Sequence, residues 1–490
     1  MVSETFINAA HSALHLAAEA PPTVVDTGTT AWVLASAALV LLMTPGLAFF
    51  YGGMCRNKSV LNMLMMSFSS LGIVSVLWVI YGYAVAFGPT QNNIFGWSKG
   101  LVGLGDLTHN VLSDKAGGIS QTFGLPDLVF AGFQVMFAVI TVALISGAIA
   151  DRMKFSAWLV FCTVWSTVVY FPVAHWVFAF GAVAPTDASG AVTGPVGNGA
   201  ASLFIKDSGG WIVNRLGALD FAGGTAVHIN AGAAALALVL VIGKRKGFGK
   251  EAMRPHNMPL VMIGSGLLWF GWFGFNAGSA LSANGLAALA FMNTNAATAA
   301  ALLAWIATER IRDGKFTTLG SASGAVAGLV AITPACGSVN PLGAIAIGVV
   351  AGIGCCLAIG LKHKIGYDDA LDVVGVHLVG GIIGTLMIGI VADQEFASGY
   401  DSVLHGGDFT LLGKQAIAAG AVLAYSFTVT TILALIIKYT MGIRITEEAE
   451  ITGIDQTEHA ETAYELTTAS QGSSSGLAAY AGSAGPGVVT

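Results

Sequence analysis

Long apolar stretches dominate the chain, and short polar loops separate them. A helix of about 20 residues rises 1.5 Å per residue and so matches the roughly 30 Å hydrocarbon core of a bilayer. Eleven stretches are long enough, and they cover residues 29–52, 61–87, 126–150, 155–184, 219–242, 258–281, 285–307, 318–335, 339–361, 370–392 and 414–441. The pattern predicts an all-α, polytopic membrane protein with eleven transmembrane helices.

Composition supports many spanning helices over one soluble core. Of the 490 residues, 55% are hydrophobic and 10% are charged, and the mean hydropathy is +0.75. The net charge is −6, with no basic patch interleaved with aromatic residues, so we predict no nucleic-acid partner. The five cysteines form no C-x-x-C or Cys/His spacing, so we predict no metal site and no cofactor.

The basic residues predict how the chain is oriented. Of the 21 lysines and arginines, only five lie in one alternating set of loops: Lys99, Lys115, Lys206, Arg215 and Lys414. The remaining residues lie in the other set of loops and beside the tail. By the positive-inside rule that other set is cytoplasmic, so the N-terminus lies outside and the C-terminus inside. An odd number of spans requires this arrangement of the termini.

We divide the chain into three parts. Residues 1–28 form an extracytoplasmic segment without Lys or Arg, so the basic region of a secretory signal is missing and we expect the first span to be retained. Residues 29–441 form the transmembrane domain. Residues 442–490 form a cytoplasmic tail, whose first part we expect to fold against the membrane domain. From about residue 468 the tail is rich in Ser, Gly and Ala, which predicts disorder.

Two spans carry similar motifs. The segment from Asp220 through V-H-I-N-A-G in the fifth span matches the segment from Asp372 through V-H-L-V-G-G in the tenth, which places His228 and His377 at corresponding positions. The fifth span runs inward and the tenth outward, so we predict an inverted repeat of five plus five helices with the eleventh helix outside it. Each histidine lies roughly 8–13 Å from the predicted start of its helix. Because the helices enter from opposite faces, the two imidazoles should meet near the bilayer midplane.

An ionisable residue at this depth is a functional-site hypothesis by default. The pair could be a satisfied core contact, a metal site, or a polar step in an apolar conduit. A zinc ion would need a third and a fourth ligand, and the neighbouring residues are Val, Ile, Leu and Gly. We therefore favour transport, in which two neutral rings share one proton and offer a relay step or a hydrogen bond to a small polar solute.

Three more residues are candidates. Asp220 opens the apolar run, which favours a helix N-cap and a structural role. Alternatively, its charge could steady a cation near the outer mouth. Phe137 and Phe275 could attract a cation with their ring faces, although packing is the usual explanation for a single Phe in a membrane helix.

Several long motifs resemble one family. They include L-D-F-A-G-G-T-A-V-H-I-N at 219–230, G-L-A-F-F-Y-G-G-M at 46–54, W-F-G-F-N-A-G-S-A at 272–280 and G-I-R-I-T-E-E-A-E-I-T-G-I-D at 442–455. Over about residues 29–466 the chain resembles the ammonium transporter family, which also includes methylammonium permeases and Rhesus glycoproteins. Within that family it resembles the bacterial type. The resemblance implies eleven helices and a homotrimer with one pore per subunit.

The resemblance also implies roles for single residues. His228 and His377 resemble the twin histidines that line the pore, and Phe137 and Phe275 resemble the stacked gate rings above them. Ser279 resembles the hydroxyl of the outer ammonium-recruiting site. Asp220 resembles the family acid needed for activity and structure.

The recruiting site departs from the family pattern. Many bacterial members have a Trp twelve residues before the signature Asp, and here that position is Ser208. Trp211, three residues further on, is the candidate replacement. In the tail, Gly453 takes the place of the signature glycine of the regulatory segment, and a cytoplasmic PII-type signalling protein is the partner that the resemblance implies.

The expected function is ammonium transport at the cell membrane. The chain would recruit ammonium, deprotonate it and conduct ammonia past the histidines, with or without separate proton transfer. Two alternatives stay open at this point: an ammonium sensor that signals through its tail, and an electroneutral gas channel of Rhesus type. An intramembrane enzyme is disfavoured because no nucleophile and base stand beside the histidines.

Overall fold

The computed structural model describes residues 25–108, 124–180, 209–397 and 400–464. Eleven helices fill the predicted spans: α1 Thr27–Met54, α2 Val60–Phe87, α3 Asp127–Ile149, α4 Phe155–Phe178, α5 Gly224–Ile242, α6 Met258–Gly278, α7 Gly285–Asp313, α8 Thr318–Ile332, α9 Pro341–Gly366, α10 Val374–Val391 and α11 Thr410–Thr440. Two short strands, β1 Thr90–Gln91 and β2 Phe95–Gly96, pair antiparallel after α2. Several predicted parts lie outside the described residues: most of residues 1–28, the end of the fourth predicted span, Ser208 and the tail beyond 464.

The fold is that of a polytopic helical membrane protein. Within the described ranges, ten helices are long and apolar enough to cross a membrane. The other, α8, has 15 residues and is about 22 Å long at 1.5 Å per residue. From Ala322 to Ile332 all its side chains are buried, so α8 is enclosed by protein. The count of eleven complete crossings therefore stays a prediction.

The membrane domain has two faces, and we call the one against which residues 442–464 pack the tail face. Arg152 lies at this face, because Ile445 N of the tail donates to its carbonyl at 3.1 Å. The end of α5 lies there too, since Arg152 Nε donates to the carbonyl of Gly243 at 2.9 Å. The segment that leads into α10 lies there too, because the same guanidinium donates to the carbonyl of Asp368 at 2.5 Å. The helices that carry His228 and His377 therefore run in opposite directions, as an inverted repeat requires.

Two details of the predicted repeat are wrong. The fifth helix begins at Gly224 and not at residue 219, and the tenth begins at Val374 and not at 370. In each case a carboxylate lies before the helix and accepts hydrogen bonds from its first N–H groups. For α10 this carboxylate is Asp369, which accepts from Val374 N at 2.7 Å, so Asp369 and not Asp372 is the counterpart of Asp220. Both acids lie eight residues before their histidine.

The two repeat helices cross in contact, at glycines four residues after each histidine. A Cβ at Gly232 would lie 2.5 Å from the backbone nitrogen of Leu378, the residue after His377. A Cβ at Gly381 would lie 3.0 Å from Ile229 Cγ1, one residue after His228. Only glycine lets the backbones approach this closely, and the crossing brings the two histidines together.

A second repeat-related pair, α1 and α6, packs in the same manner. A Cβ at Gly53 would lie 2.7 Å from Val261 N, and one at Gly274 would lie 2.8 Å from Ser36 O. These contacts hold α6, which carries Trp272 and Phe275, close against α1 beside the crossing of α5 and α10.

The tail folds onto its face through two short helices, α12 Glu447–Thr452 and α13 Ile454–His459. Asp455 accepts hydrogen bonds from Leu61 N at 3.0 Å and Asn62 N at 2.8 Å, so the tail caps the first turn of α2. Gly453 has φ 124°, and a Cβ there would lie 2.8 Å from Lys58 Cβ. Both the backbone angle and the contact with Lys58 require glycine at this position.

Buried charges connect the tail face to the start of α10. Arg245 is buried and pairs with Asp368 at 2.8 Å and with Asp151 at 3.1 Å. Burial alone would raise the pKa of Asp368, but the bonds from Arg245 bring it below its ordinary value. Burial, helped by the charge of Asp372, raises the pKa of Asp369 to about 6.

Candidate functional site

His228 and His377 meet at the crossing of α5 and α10. Their Nδ1 atoms lie 3.3 Å apart, and the ring centroids lie 5.3 Å apart with 24° between the planes. Both residues are buried. A hydrogen bond between two facing nitrogens needs one proton, so one ring donates and the other accepts.

Two narrow cavities adjoin the histidines, and together we call them the conduit. The first is lined by Met43, Leu47, Phe50, Ile140, Leu144, Val227, His228, Leu268, Trp272, Phe275, Val326 and His377. The second shares Phe50, Val326 and His377 with the first and continues to Tyr51, Met54, Ser323, Leu371, Asp372 and Val376. Each offers about 10 Å³ to the centre of a water-sized molecule, which is about the space that one such molecule needs.

The first cavity is almost wholly apolar. Among the described residues that line it, the two imidazoles are the only polar side chains apart from the indole nitrogen of Trp272. Among the described residues, His228 Nε2 has no hydrogen-bond partner in the protein. His228 Nε2 therefore keeps its hydrogen-bonding capacity at a residue that lines the cavity.

Aromatic rings cover the conduit on the side away from the tail face. Phe137 on α3 and Phe275 on α6 pack with their centroids 4.3 Å apart and 42° between the planes. Phe275 also lies 6.1 Å from the His228 ring at 21°. The structure thus brings together the two histidines that the repeated motif pairs and the two phenylalanines that the family resemblance assigns.

Asp220 positions the helix that carries His228. Its carboxylate accepts hydrogen bonds from the backbone nitrogens of Gly223 at 2.8 Å, Gly224 at 2.6 Å, Thr225 at 2.8 Å and Ala226 at 3.3 Å, and from the Thr225 hydroxyl. A carboxylate at a helix N-terminus satisfies N–H groups that have no partner inside the helix. Asp220 thus caps the helix that carries His228.

Ser279 and Trp211, the two candidates for the outer recruiting site, lie in different surroundings. Ser279 caps the end of α6 and is half-buried, and its hydroxyl donates to the carbonyl of Phe275 at 2.8 Å. It therefore lies one turn beyond the gate rings. Trp211 packs on Trp176, with the ring centroids 5.8 Å apart. Ser208 lies outside the described residues, so its relation to Ser279 stays untested.

Comparisons with known proteins match this architecture over most of the chain. The model of the Ammonium Transporter Family matches residues 31–464. An ammonium transporter of Mycobacterium tuberculosis is 56% identical over 458 residues, which cover 91% of this chain and 92% of the relative. The chain belongs to the ammonium transporter family. This ammonium transporter is thus a multi-pass membrane transport protein and not an enzyme.

Other relatives support membership of the same family. The ammonium transporter of Aquifex aeolicus is 45% identical, over 90% of this chain and 94% of the relative. Two solved structures share the fold. A protein named Sensor Amt Protein matches with a TM-score of 0.74 and 28% identity, covering 88% of this transporter and 98% of that chain. Candida albicans Mep2 matches with a TM-score of 0.73 and 33% identity, covering 86% and 87%.

One residue at the conduit of this transporter was not predicted from the sequence. Trp272 lies 5.5 Å from the His228 ring with 20° between the planes and 5.3 Å from the Phe275 ring. Its spacing was a usable signal, because Trp272 precedes Phe275 by three residues and therefore shares its helix face.

Proposed function

We propose that this transporter recruits ammonium at the face opposite the tail, removes a proton, and conducts ammonia through the conduit past His228 and His377. The observation that carries the proposal is the 3.3 Å contact between the two Nδ1 atoms at an otherwise apolar cavity.

The size of the conduit supports passage of a neutral solute. A cavity with about 10 Å³ for molecular centres has no room for a hydration shell. Moving a bare cation from water into such a place is very costly, whereas a neutral molecule with one hydrogen-bonding centre costs far less. Ammonium can become neutral by losing a proton, and potassium cannot. The cost of dehydration therefore excludes potassium but lets ammonium pass as ammonia, although the two cations are of similar size.

The histidine pair supports binding of ammonia. Burial favours neutral imidazoles, and their shared proton occupies one Nδ1. The ring that donates this proton keeps an accepting Nε2, and the other ring carries a proton on Nε2. The pair thus presents one acceptor and one donor. Ammonia has both a donor group and a lone pair, so it can bond to either ring.

We assign the entrance to Ser279, Phe275 and Phe137. Ammonium reaching Ser279 meets a hydroxyl whose proton is donated to the Phe275 carbonyl, so its free lone pairs can accept from a cation. The adjacent ring faces attract a cation by about 0.5–2 kcal/mol. Trp211 is the candidate for a further ring at this entrance. The released proton either returns to the outer solution or follows the histidine pair.

We further propose the orientation and the assembly. The tail face holds Arg56, Arg152, Arg245 and Arg444, so by the positive-inside rule it is cytoplasmic. The N-terminal segment 1–28 then lies outside, the transmembrane domain 29–441 lies in the cell membrane, and the tail 442–490 lies inside. A homotrimer and a cytoplasmic PII-type partner follow from the family resemblance. Light scattering of the purified protein tests the trimer, and co-purification tests the partner.

The central experiment replaces each histidine by leucine, which is apolar and of similar size. We expect His228→Leu and His377→Leu to lose the ammonium-driven current on solid-supported membranes, or to lose selectivity for ammonium over potassium. A matched control is His175→Leu. His175 is buried but bonds Ala86 O and Thr90 outside the conduit, so this change should leave selectivity per folded molecule unaltered. Wild-type current and selectivity in both conduit variants would refute the proposal.

A further inference from the structure

The Trp272 indole touches two parts of the conduit at once. It lies nearly parallel to the His228 ring at 5.5 Å and 20°, and it also packs on the Phe275 ring at 5.3 Å and 34°. Trp272 is 2% exposed. The orientation of this indole therefore sets the plane against which both an imidazole and a gate ring rest.

Thr333 holds the indole in place. The Nε1–H of Trp272 donates to Thr333 Oγ1 at 2.8 Å, and the Thr333 hydroxyl donates to the carbonyl of Leu329 at 2.7 Å. A hydroxyl has one proton and two lone pairs. Because the Leu329 carbonyl takes the proton, Thr333 Oγ1 faces Trp272 only as an acceptor. An indole has a single N–H donor, so the hydrogen bond has a single direction and a single geometry.

The position of Thr333 makes the contact a link between helices. Thr333 follows the last residue of α8, and Trp272 lies within α6, six residues before its end at Gly278. The stack on His228 then reaches α5. Rotating the indole away from Thr333 would break this hydrogen bond. It would leave a buried N–H without a partner, which is costly in an apolar surrounding.

We propose that Trp272 and Thr333 are positioning residues for transport: their hydrogen bond fixes the indole so that His228 keeps its Nδ1 toward His377 and Phe275 stays closed over the conduit. The inference deepens the proposed function and rests on it. Neither residue needs to bind the solute. Trp272 and Thr333 act by holding the rings that contact the solute.

The test compares two substitutions at Thr333. Thr333→Val keeps the shape and removes the acceptor, whereas Thr333→Ser keeps the hydroxyl and removes a methyl group. We expect Thr333→Val to reduce ammonium-driven current by about three- to ten-fold, the range that losing one hydrogen bond produces. It should also lower the ratio of ammonium to potassium current. Thr333→Ser should stay within about two-fold of the wild type.

The chain offers a matched control. Trp165 Nε1 donates to Thr430 Oγ1 at 2.8 Å, and both residues are fully buried away from the residues that line the conduit. Thr430→Val thus removes a hydrogen bond of the same kind and length. We expect it to lower the thermal unfolding midpoint as Thr333→Val does, but to leave the current ratio unchanged.

The outcomes separate this inference from the proposed function. If the histidine variants lose current while Thr333→Val and Thr333→Ser both behave as wild type, only the positioning role is overturned. If the histidine variants keep wild-type current and selectivity, both proposals fail. Should Thr333→Val not fold, Trp272→Phe gives the same test, because it keeps an aromatic ring beside His228 but lacks the N–H donor. An unchanged current ratio in Trp272→Phe would then overturn the inference.

Discussion

Replacing Gly232 by alanine tests whether the helix crossing sets the distance between the histidines. The added Cβ would lie 2.5 Å from Leu378 N and 2.7 Å from Leu378 Cα. These are backbone atoms, so no side-chain rotation relieves the clash. The segment that carries His377 must move away from α5.

The size of the movement follows from the contact distances. Ordinary contact begins at about 3.4 Å, so the backbone at Leu378 must retreat by up to about 0.9 Å. The same shift at His377 would lengthen the Nδ1 to Nδ1 distance from 3.3 Å to about 4.2 Å, beyond hydrogen-bond range. Overpacking costs about 1–3 kcal/mol, while Ala for Gly in a helix returns about 1 kcal/mol. We therefore expect a loss of about 0–2 kcal/mol in folding free energy, but a severe loss of transport.

The assay is ammonium-driven current per folded molecule, read beside the thermal unfolding midpoint. Gly381→Ala should show a smaller loss, since its nearest contacts would be at 3.0–3.1 Å. Gly420→Ala in α11 is the control, because a Cβ there has nothing within 4 Å. Wild-type current in Gly232→Ala, or an equal loss in Gly420→Ala, would show that the crossing does not control the histidine pair.

Three further predictions concern single side chains. Asp220→Asn should lower the unfolding midpoint by roughly 2–4 °C, because an amide NH₂ would face the Thr225 donors and remove hydrogen bonds worth about 2–4 kcal/mol. The control is Asp408→Asn: Asp408 accepts one exposed hydrogen bond from Thr410 N before α11, and this change should shift the midpoint by less than about 1 °C. Phe275→Ala should admit a potassium-driven current by opening the gate beside Phe137, and a potassium response still at the wild-type level would contradict the gate assignment. Burial raises the pKa of Asp369 to about 6, so the folded state holds this proton more tightly than the unfolded chain. Stability should therefore fall as the pH rises from about 4 to 6 and then stay level. Unfolding midpoints across this range should lose that slope in Asp369→Asn, and an identical slope in the variant would refute the assignment.

Much of the fold could be predicted because hydrocarbon imposes a simple rule on the sequence. Every span must be apolar and about 20 residues long, so helix positions follow from hydropathy. The helix starts at Gly224 and Val374 could not be found in this way, because apolar residues continue for several positions before each start, beside the capping carboxylate. Those starts depend on where a carboxylate caps the backbone. Counting eight residues back from each histidine would have identified both Asp220 and Asp369.

The candidate site was predicted in part. The repeated motif was sufficient to pair His228 with His377, because an inverted repeat places equivalent residues near its axis. The pairing of Phe137 with Phe275 came from family resemblance, since the sequence gives no reason to choose these two rings among 26 phenylalanines. The role of Thr333 depends on a contact between helices far apart in the chain, and spacing along the sequence carries no signal for it.

The hydrogen bonds from Leu61 and Asn62 to Asp455 affect the order in which the molecule can be completed. The second helix enters the membrane early in synthesis, but the carboxylate that satisfies its first amide groups is made almost 400 residues later. Until then these amides must bond to water. A chain that stops before Asp455 therefore never closes this end of the helix, and the docked tail marks a molecule whose last membrane segment has already been inserted.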